Sequence, residues 1–243
     1  MDGILRCSRY SFGPNRLHYC GPDVNAELQA EIEAANPNPH LVAILREFKT
    51  LFPYLKLIAS ANNIVDPFDA RVVEAYWLGN ELLENVGRDR LRQFLVDDLE
   101  IKKKAKPREF EWLESKIKMG AAPHHSFHVL NLWRQTSDKV ESKKPENLSE
   151  CCINAGKITS VNGSEIVVIT EMPIYFEGKF ELSSPQEKRL TRQLEAEYDI
   201  EQLKPGQLVS FHWGVPCEGL TKEQVANLRK YTLKNINFAN ETI

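Results

Sequence analysis

Residues 151–170 read Cys151-Cys152-Ile153-Asn154-Ala155-Gly156-Lys157-Ile158-Thr159-Ser160-Val161-Asn162-Gly163-Ser164-Glu165-Ile166-Val167-Val168-Ile169-Thr170. Asn162-Gly163 suits the left-handed backbone of a two-residue hairpin turn, and β-branched residues flank it. The pattern predicts a strand opening at Cys151 and running to Val161, with a return strand from Ser164 to Thr170. Cys151 and Cys152 then point to opposite faces. A third strand is expected over residues 174–182. A fourth, over 208–213, follows the Pro205-Gly206 turn. Ser184-Pro185-Gln186-Glu187 has the capping-box pattern of a helix start. Thr221-Lys222-Glu223-Gln224 has it again, before Val225, Leu228 and Tyr231. These elements predict a small, mostly antiparallel β domain with a terminal helix, of the five-stranded OB-like barrel type.

Upstream, helix signals dominate. Asp66-Pro67-Phe68-Asp69 is a helix start, with Asp66 as cap and Pro67 in the first turn. Val72, Tyr76, Gly79, Leu83 and Val86 follow at helical spacing. Leu41, Leu45, Phe48 and Phe52 form a similar stripe, interrupted at Pro53. Residues 107–119 read as a helix stopped by Gly120. Residues 136–149 are polar and lysine-rich and read as a linker. The expected fold class is α+β. An all-helical domain covers 1–140, a linker 141–149, and the β-barrel domain with its terminal helix 150–243.

Composition sets outer limits. The 243 residues are 42% hydrophobic, enough for a real core. A net charge of -3 supplies no basic field for nucleic acid or anionic lipid. No apolar run approaches the roughly 20 residues that span a bilayer. Met1-Asp2-Gly3-Ile4-Leu5-Arg6 lacks the basic-then-apolar run of a signal peptide. The 5 cysteines are odd in number and scattered, which argues against a disulfide framework and for a reducing, cytoplasmic location.

Two groups of residues carry metal-ligating chemistry. Cys151 opens the β unit and His212 closes its last strand, a soft-plus-borderline pair suited to iron or zinc. The alternative is that Cys151 fills space as a small hydrophobe and His212 is a hydrogen-bonded strand histidine. Cys217, just beyond, is either a third ligand or a loop thiol. The second group is His124, His125 and His128. On a helix, His124 and His128 share a face at the spacing that metal sites use. Cys7, His18 and Cys20 complete a shell if the N-terminal segment folds back. The alternative is that Pro123 and these histidines cap a helix and bond buried backbone. Glu74 and Glu81, seven apart, are a carboxylate pair or partners for Arg71, Arg88 and solvent. Lys102-Lys103-Lys104-Ala105-Lys106 lacks interleaved aromatics and reads as a solvated loop. There is no phosphate loop, dinucleotide fingerprint or nucleophile elbow.

Residues 151–234 resemble the HypC/HupF-type chaperones of nickel-iron hydrogenase maturation. Cys151 stands five residues before Gly156-Lys157, as that family spaces its cysteine. Residues 205–214, Pro205-Gly206-Gln207-Leu208-Val209-Ser210-Phe211-His212-Trp213-Gly214, resemble its second motif. Leu220-Thr221-Lys222-Glu223-Gln224-Val225-Ala226 resembles the start of its closing helix. The departures are an internal rather than N-terminal cysteine, Ala155 for proline, Gln207 for aspartate, and an added charged segment over 183–204. The resemblance implies an OB-like barrel and iron carried as a carbonyl- and cyanide-bearing fragment. It implies Cys151 and His212 as the residues that hold it. The implied partners are a maturation scaffold protein or the hydrogenase large subunit.

The whole chain is also similar to an uncharacterised bacterial family associated with nickel-iron hydrogenase gene clusters. The shared patterns are Pro14 to Pro22, Asp66 to Trp77, and Pro123-His124-His125-Ser126-Phe127-His128-Val129. The expected function is an accessory chaperone of hydrogenase maturation without turnover of its own. A metal-dependent enzyme built on His124, His125 and His128 is one alternative. A metal-free interaction scaffold, motivated by Ala155 and Gln207, is the other.

Overall fold

The computed structural model describes residues 1–35, 37–133, 144–192 and 203–242 of the chain. Its first half is helical: α1 (Gly3–Arg16), α2 (Asn25–Ala34), α3 (Pro39–Arg46), α4 (Leu51–Ala61), α5 (Ala70–Trp77), α6 (Arg88–Asp97), α7 (Ile101–Lys104), α8 (Pro107–Lys118) and the single turn α9 (His125–Phe127). A π-helical stretch, His128–Trp133, continues α9. Local chemistry explains the starts. Asp2 accepts from the amides of Ile4 and Leu5, Asn38 from Leu41, and Asp69 from Arg71.

Two helical expectations are corrected. The stripe from Val72 to Val86 is not one helix. Gly79 turns the chain at φ 88, and the Tyr231 ring occupies the place of its missing Cβ, 2.2 Å from an ideal Cβ position. A 3-10 turn, Glu81–Asn85, follows. Asp69, not Asp66, caps α5; Asp66 accepts from the Phe68 amide one turn earlier. Pro53 falls in the first turn of α4, where its missing N–H leaves no bond unmade.

The second half is antiparallel. A five-stranded sheet has the order β5-β2-β1-β6-β7, from β1 (Asn154–Asn162), β2 (Glu165–Thr170), β5 (Gln186–Thr191), β6 (Leu208–His212) and β7 (Val215–Leu220). Asn162 pairs Glu165 across the predicted hairpin turn, with Gly163 at φ 58. The other corrections lie here. Residues 174–182 form a hairpin, β3 (Pro173–Phe176) and β4 (Lys179–Leu182), because Glu177 and Gly178 both take positive φ, 47 and 84. Residues after Ser184 form edge strand β5, not a helix. Leu190 is buried under the sheet while Glu187, Arg189 and Thr191, on the other face, are exposed, the alternation a half-buried strand requires.

Among the described residues the ladder stays open and no closed barrel forms. The two edges meet at one point, where the Thr191 amide donates to Gly214 O at 3.0 Å. The described part of the expected linker is helical, Pro145–Cys151, so Cys151 ends a helix instead of opening a strand. Residues 136–143 of that linker lie outside the described residues.

The largest core cluster takes residues from both sides of the expected boundary. Leu5, Tyr10, Tyr54, Tyr76 and Phe127 share it with Ile153, Val215, Cys217, Tyr231 and Phe238. Helix α1 is the shared element, buried along most of its length. Its Arg6 ties the halves together, reaching Glu218 of β7 at 3.1 Å and Glu74 of α5 at 3.0 Å. The C-terminal helix, Lys222–Asn240, begins with a full Thr221/Gln224 capping box and packs on α9 and β4. Among the described residues no helix is long and apolar enough to cross a membrane.

Candidate metal centre

The Pro145–Cys151 helix leaves carbonyls at its C-terminal end that need partners from outside. Asn154 donates to Ser149 O and Cys152 O, and the Trp213 amide donates to Glu150 O. Cys151 O is met by two histidine nitrogens, His125 Nε2 at 2.8 Å and His212 Nε2 at 2.9 Å. The same two rings stand edge to face, centroids 5.3 Å apart. One donor atom each from His125, Cys151 and His212 lies within 4.8 Å of the others, all buried. The structure therefore brings one histidine of the second predicted group to the Cys151–His212 pair.

Each ring is held from behind. Tyr10 O lies 2.6 Å from His212 Nδ1, and the Tyr76 hydroxyl lies 3.1 Å from His125 Nδ1. Trp77 packs against both rings, at 4.5 Å and 5.7 Å between centroids. Helix α1 comes close enough to β6 that a Cβ on Gly13 would lie 2.4 Å from His212 O. Loss of a side chain at Gly13 thus lets Tyr10 reach the ring.

The charge states follow from burial. Desolvation pulls His212 down to about 4 and holds His125 well below the usual imidazole range, so both rings are neutral at pH 7. Burial first, and then the neighbouring Cys152 and Cys20, hold the Cys151 thiol well above its ordinary value; Trp213 opposes them.

A neutral ring carries one N–H, yet His212 has a carbonyl oxygen at each nitrogen. If Nδ1–H serves the nearer Tyr10 O, the Nε2 lone pair confronts Cys151 O. In that tautomer Nε2 would be free to hold a cation, and the Nδ1–H···O=C bond is the arrangement that would orient a ligating histidine. His125 can do the same once the Tyr76 hydroxyl accepts from its Nδ1. The donor set, two imidazoles and a thiol, suits iron, zinc or another transition metal.

The remaining candidates sit as follows. A cavity of about 100 Å³ adjoins the three residues and is lined also by Cys20, His128, Tyr19, Phe48 and Leu51. His128 turns toward the Tyr54 hydroxyl at 3.4 Å. His124 faces away from the cluster. Its Nδ1 accepts from the Ser126 amide and its ring stacks on Tyr231 at 5.1 Å, so it caps α9. The i, i+4 pairing of His124 and His128 does not arise, because His124 is the extended N-cap residue of α9 and lies outside the helix.

His18 is exposed and pairs with Asp23, while Cys7 and Cys217 are fully buried outside the three-residue cluster. Glu74 is a partner of Arg6 and Gln224, not of Glu81. Sequence reasoning missed Tyr10 and gave Tyr76 and Trp77 no role at the site. Tyr76 and Trp77 carried a usable signal, an aromatic pair about two helical turns after the Asp69 cap.

No curated protein and no solved structure matches the chain. Compared with known families, residues 1–243 match DUF6390, a family of unknown function, and the protein belongs to that family.

Proposed function

We propose that this protein is a metal-holding accessory factor without turnover of its own, acting in nickel-iron hydrogenase maturation, and that Cys151, His212 and His125 hold its iron. The observation that carries the reading is the convergence of two buried imidazoles and a buried thiol within 4.8 Å. The resemblance of residues 151–234 to the HypC/HupF-type chaperones supports the choice of iron, as a carbonyl- and cyanide-bearing fragment. It also supports a maturation scaffold or the hydrogenase large subunit as partner. The approach of β5 to the β6–β7 turn through Thr191 and Gly214 supports an OB-like wrapping of the sheet.

In this reading the chain supplies three things. Cys151 gives a soft thiolate once its proton leaves. His125 and His212 give neutral nitrogen donors without a prior deprotonation to imidazole, because burial already keeps them uncharged. The walls of Trp77, Phe48 and Leu51 exclude water from the bound group.

The test is an infrared spectrum of the protein purified without oxygen from cells expressing the hydrogenase maturation machinery, beside its Cys151→Ala variant. Carbon monoxide and cyanide stretching bands present in the parent and lost in the variant are the expected result. Their absence from both, with the maturation proteins present, would overturn the hydrogenase assignment.

A further inference from the structure

The three-residue site leaves a charge unbalanced when it takes a bare divalent ion. Two neutral imidazoles and one thiolate around a dication carry a net positive charge. The cavity beside them is lined by Pro14, Phe48, Leu51 and Trp77, and among the described lining residues there is no carboxylate. Glu150, next in sequence to Cys151, is engaged by Lys188. Lys104 acts electrostatically on His128, another residue of the cavity wall, and adds to the positive field. A buried charge without a partner is strongly disfavoured. Besides Cys151, Cys20 is the thiol-bearing residue on the cavity wall, and a bound cation would displace its proton.

We propose that Cys20 is the second thiolate of this site, closing onto a divalent soft or borderline cation held by Cys151, His125 and His212 in a neutral, four-coordinate N2S2 arrangement. Cys20 lies on a loop, half-buried, directly before Gly21 at φ 85. The loop is fixed on its α1 side, where the Asn15 amide donates to Cys20 O and Pro22 O at 2.9 and 2.7 Å. The side chain itself is not among the three donors that already converge, so closing the fourth position requires it to turn inward. Its proton and that of Cys151 are both displaced by the cation, and the two sulfur–metal bonds replace two S–H bonds.

The inference rests on the reading that the three residues hold a metal, and the experiment separates the two. The reduced full-length chain is titrated with cobalt(II) without oxygen. Thiolate-to-cobalt charge-transfer absorbance and proton release are both followed. The parent is expected to bind one ion in tetrahedral geometry with release of about two protons. Cys20→Ser is expected to lose about half of the charge-transfer band and about one of the two protons, and Cys20→Ala to do the same. Thermal melts of the two variants confirm the fold. A Cys20→Ser spectrum and proton count equal to the parent's would overturn the role of Cys20 and leave the three-residue site standing. No cobalt binding by the parent would overturn both.

Discussion

His125 and His212 reach one carbonyl oxygen from opposite halves of the chain, with Nε2 atoms 2.8 and 2.9 Å from Cys151 O. One comes from a turn in the helical half and the other from a central strand of the sheet. A site built this way depends on how the halves are held together, and several expected outcomes follow from that dependence.

Among the described residues, the Tyr76 hydroxyl is the side-chain hydrogen-bond partner of the two candidate rings, 3.1 Å from His125 Nδ1. Tyr76→Phe is expected to lower affinity for a divalent metal by about 10–100-fold, the usual range for loss of an outer-shell partner. The melting temperature should change little by comparison. Metal titration followed by calorimetry measures the first, and a thermal melt of the apo-protein the second.

Gly13→Ala puts a methyl group against the backbone of His212, 2.4 Å from its carbonyl oxygen. Backbone cannot swing aside as a side-chain tip can. The substitution is expected to destabilise by about 1–3 kcal/mol and to weaken metal binding at the same time. Denaturant unfolding and metal titration on one preparation test the coupling of the two effects.

Arg6 and Glu218 make a buried pair between α1 and β7, and Tyr10 donates to the same carboxylate at 2.9 Å. Arg6→Ala leaves Glu218 buried without its cation. The expected loss is about 3–5 kcal/mol. Glu218→Gln in the Arg6→Ala background should recover part of it, because the uncompensated charge is then absent. A double-mutant cycle in urea measures both.

Three buried histidines and the half-buried His128 make the fold acid-sensitive. Burial pulls His124 to about 3 and His128 and His212 to about 4, and holds His125 well below its ordinary value. The unfolded chain binds protons at these rings below about pH 6.5, while the folded chain does not. Stability is therefore full above about pH 6.5 and falls as pH drops toward 4. Each ring contributes on the order of 1–2 kcal/mol to that loss by pH 5. Unfolding midpoints measured between these limits should fall steadily, and His128→Gln should flatten the slope.

Much of the fold was legible in local chemistry. The Thr221 capping box and the Gly120 stop each require only neighbours in sequence, and each occurs as read; Asn162-Gly163 marks the hairpin, but the two-residue turn falls one residue later, on Gly163-Ser164. The failures share a cause. Gly79 breaks the expected long helix because a ring from Tyr231 fills the space beside it, a contact no local pattern carries. The capping-box pattern at Ser184 yields to strand pairing with β2, a tertiary choice. Cys151 ends a helix whose start at Pro145 lies inside a stretch that reads as polar linker.

At the candidate site, Cys151, His212 and His125 were each visible as ligand types. The Cys151–His212 pair was expected; that His125 joins it was not, since His125 reaches the two only through tertiary contacts with the His212 ring and Cys151 O. Tyr10 contributes a backbone carbonyl, which no residue pattern encodes.

The central claim is that His125, Cys151 and His212 hold a metal, and X-ray absorption on the protein loaded with one equivalent of zinc(II) tests it most directly. The predicted result is nitrogen scatterers at about 2.0–2.1 Å and sulfur at about 2.3 Å. The sulfur shell should weaken in Cys151→Ala and the nitrogen shell in His212→Ala. An oxygen-only shell, unchanged in both variants, would contradict the account.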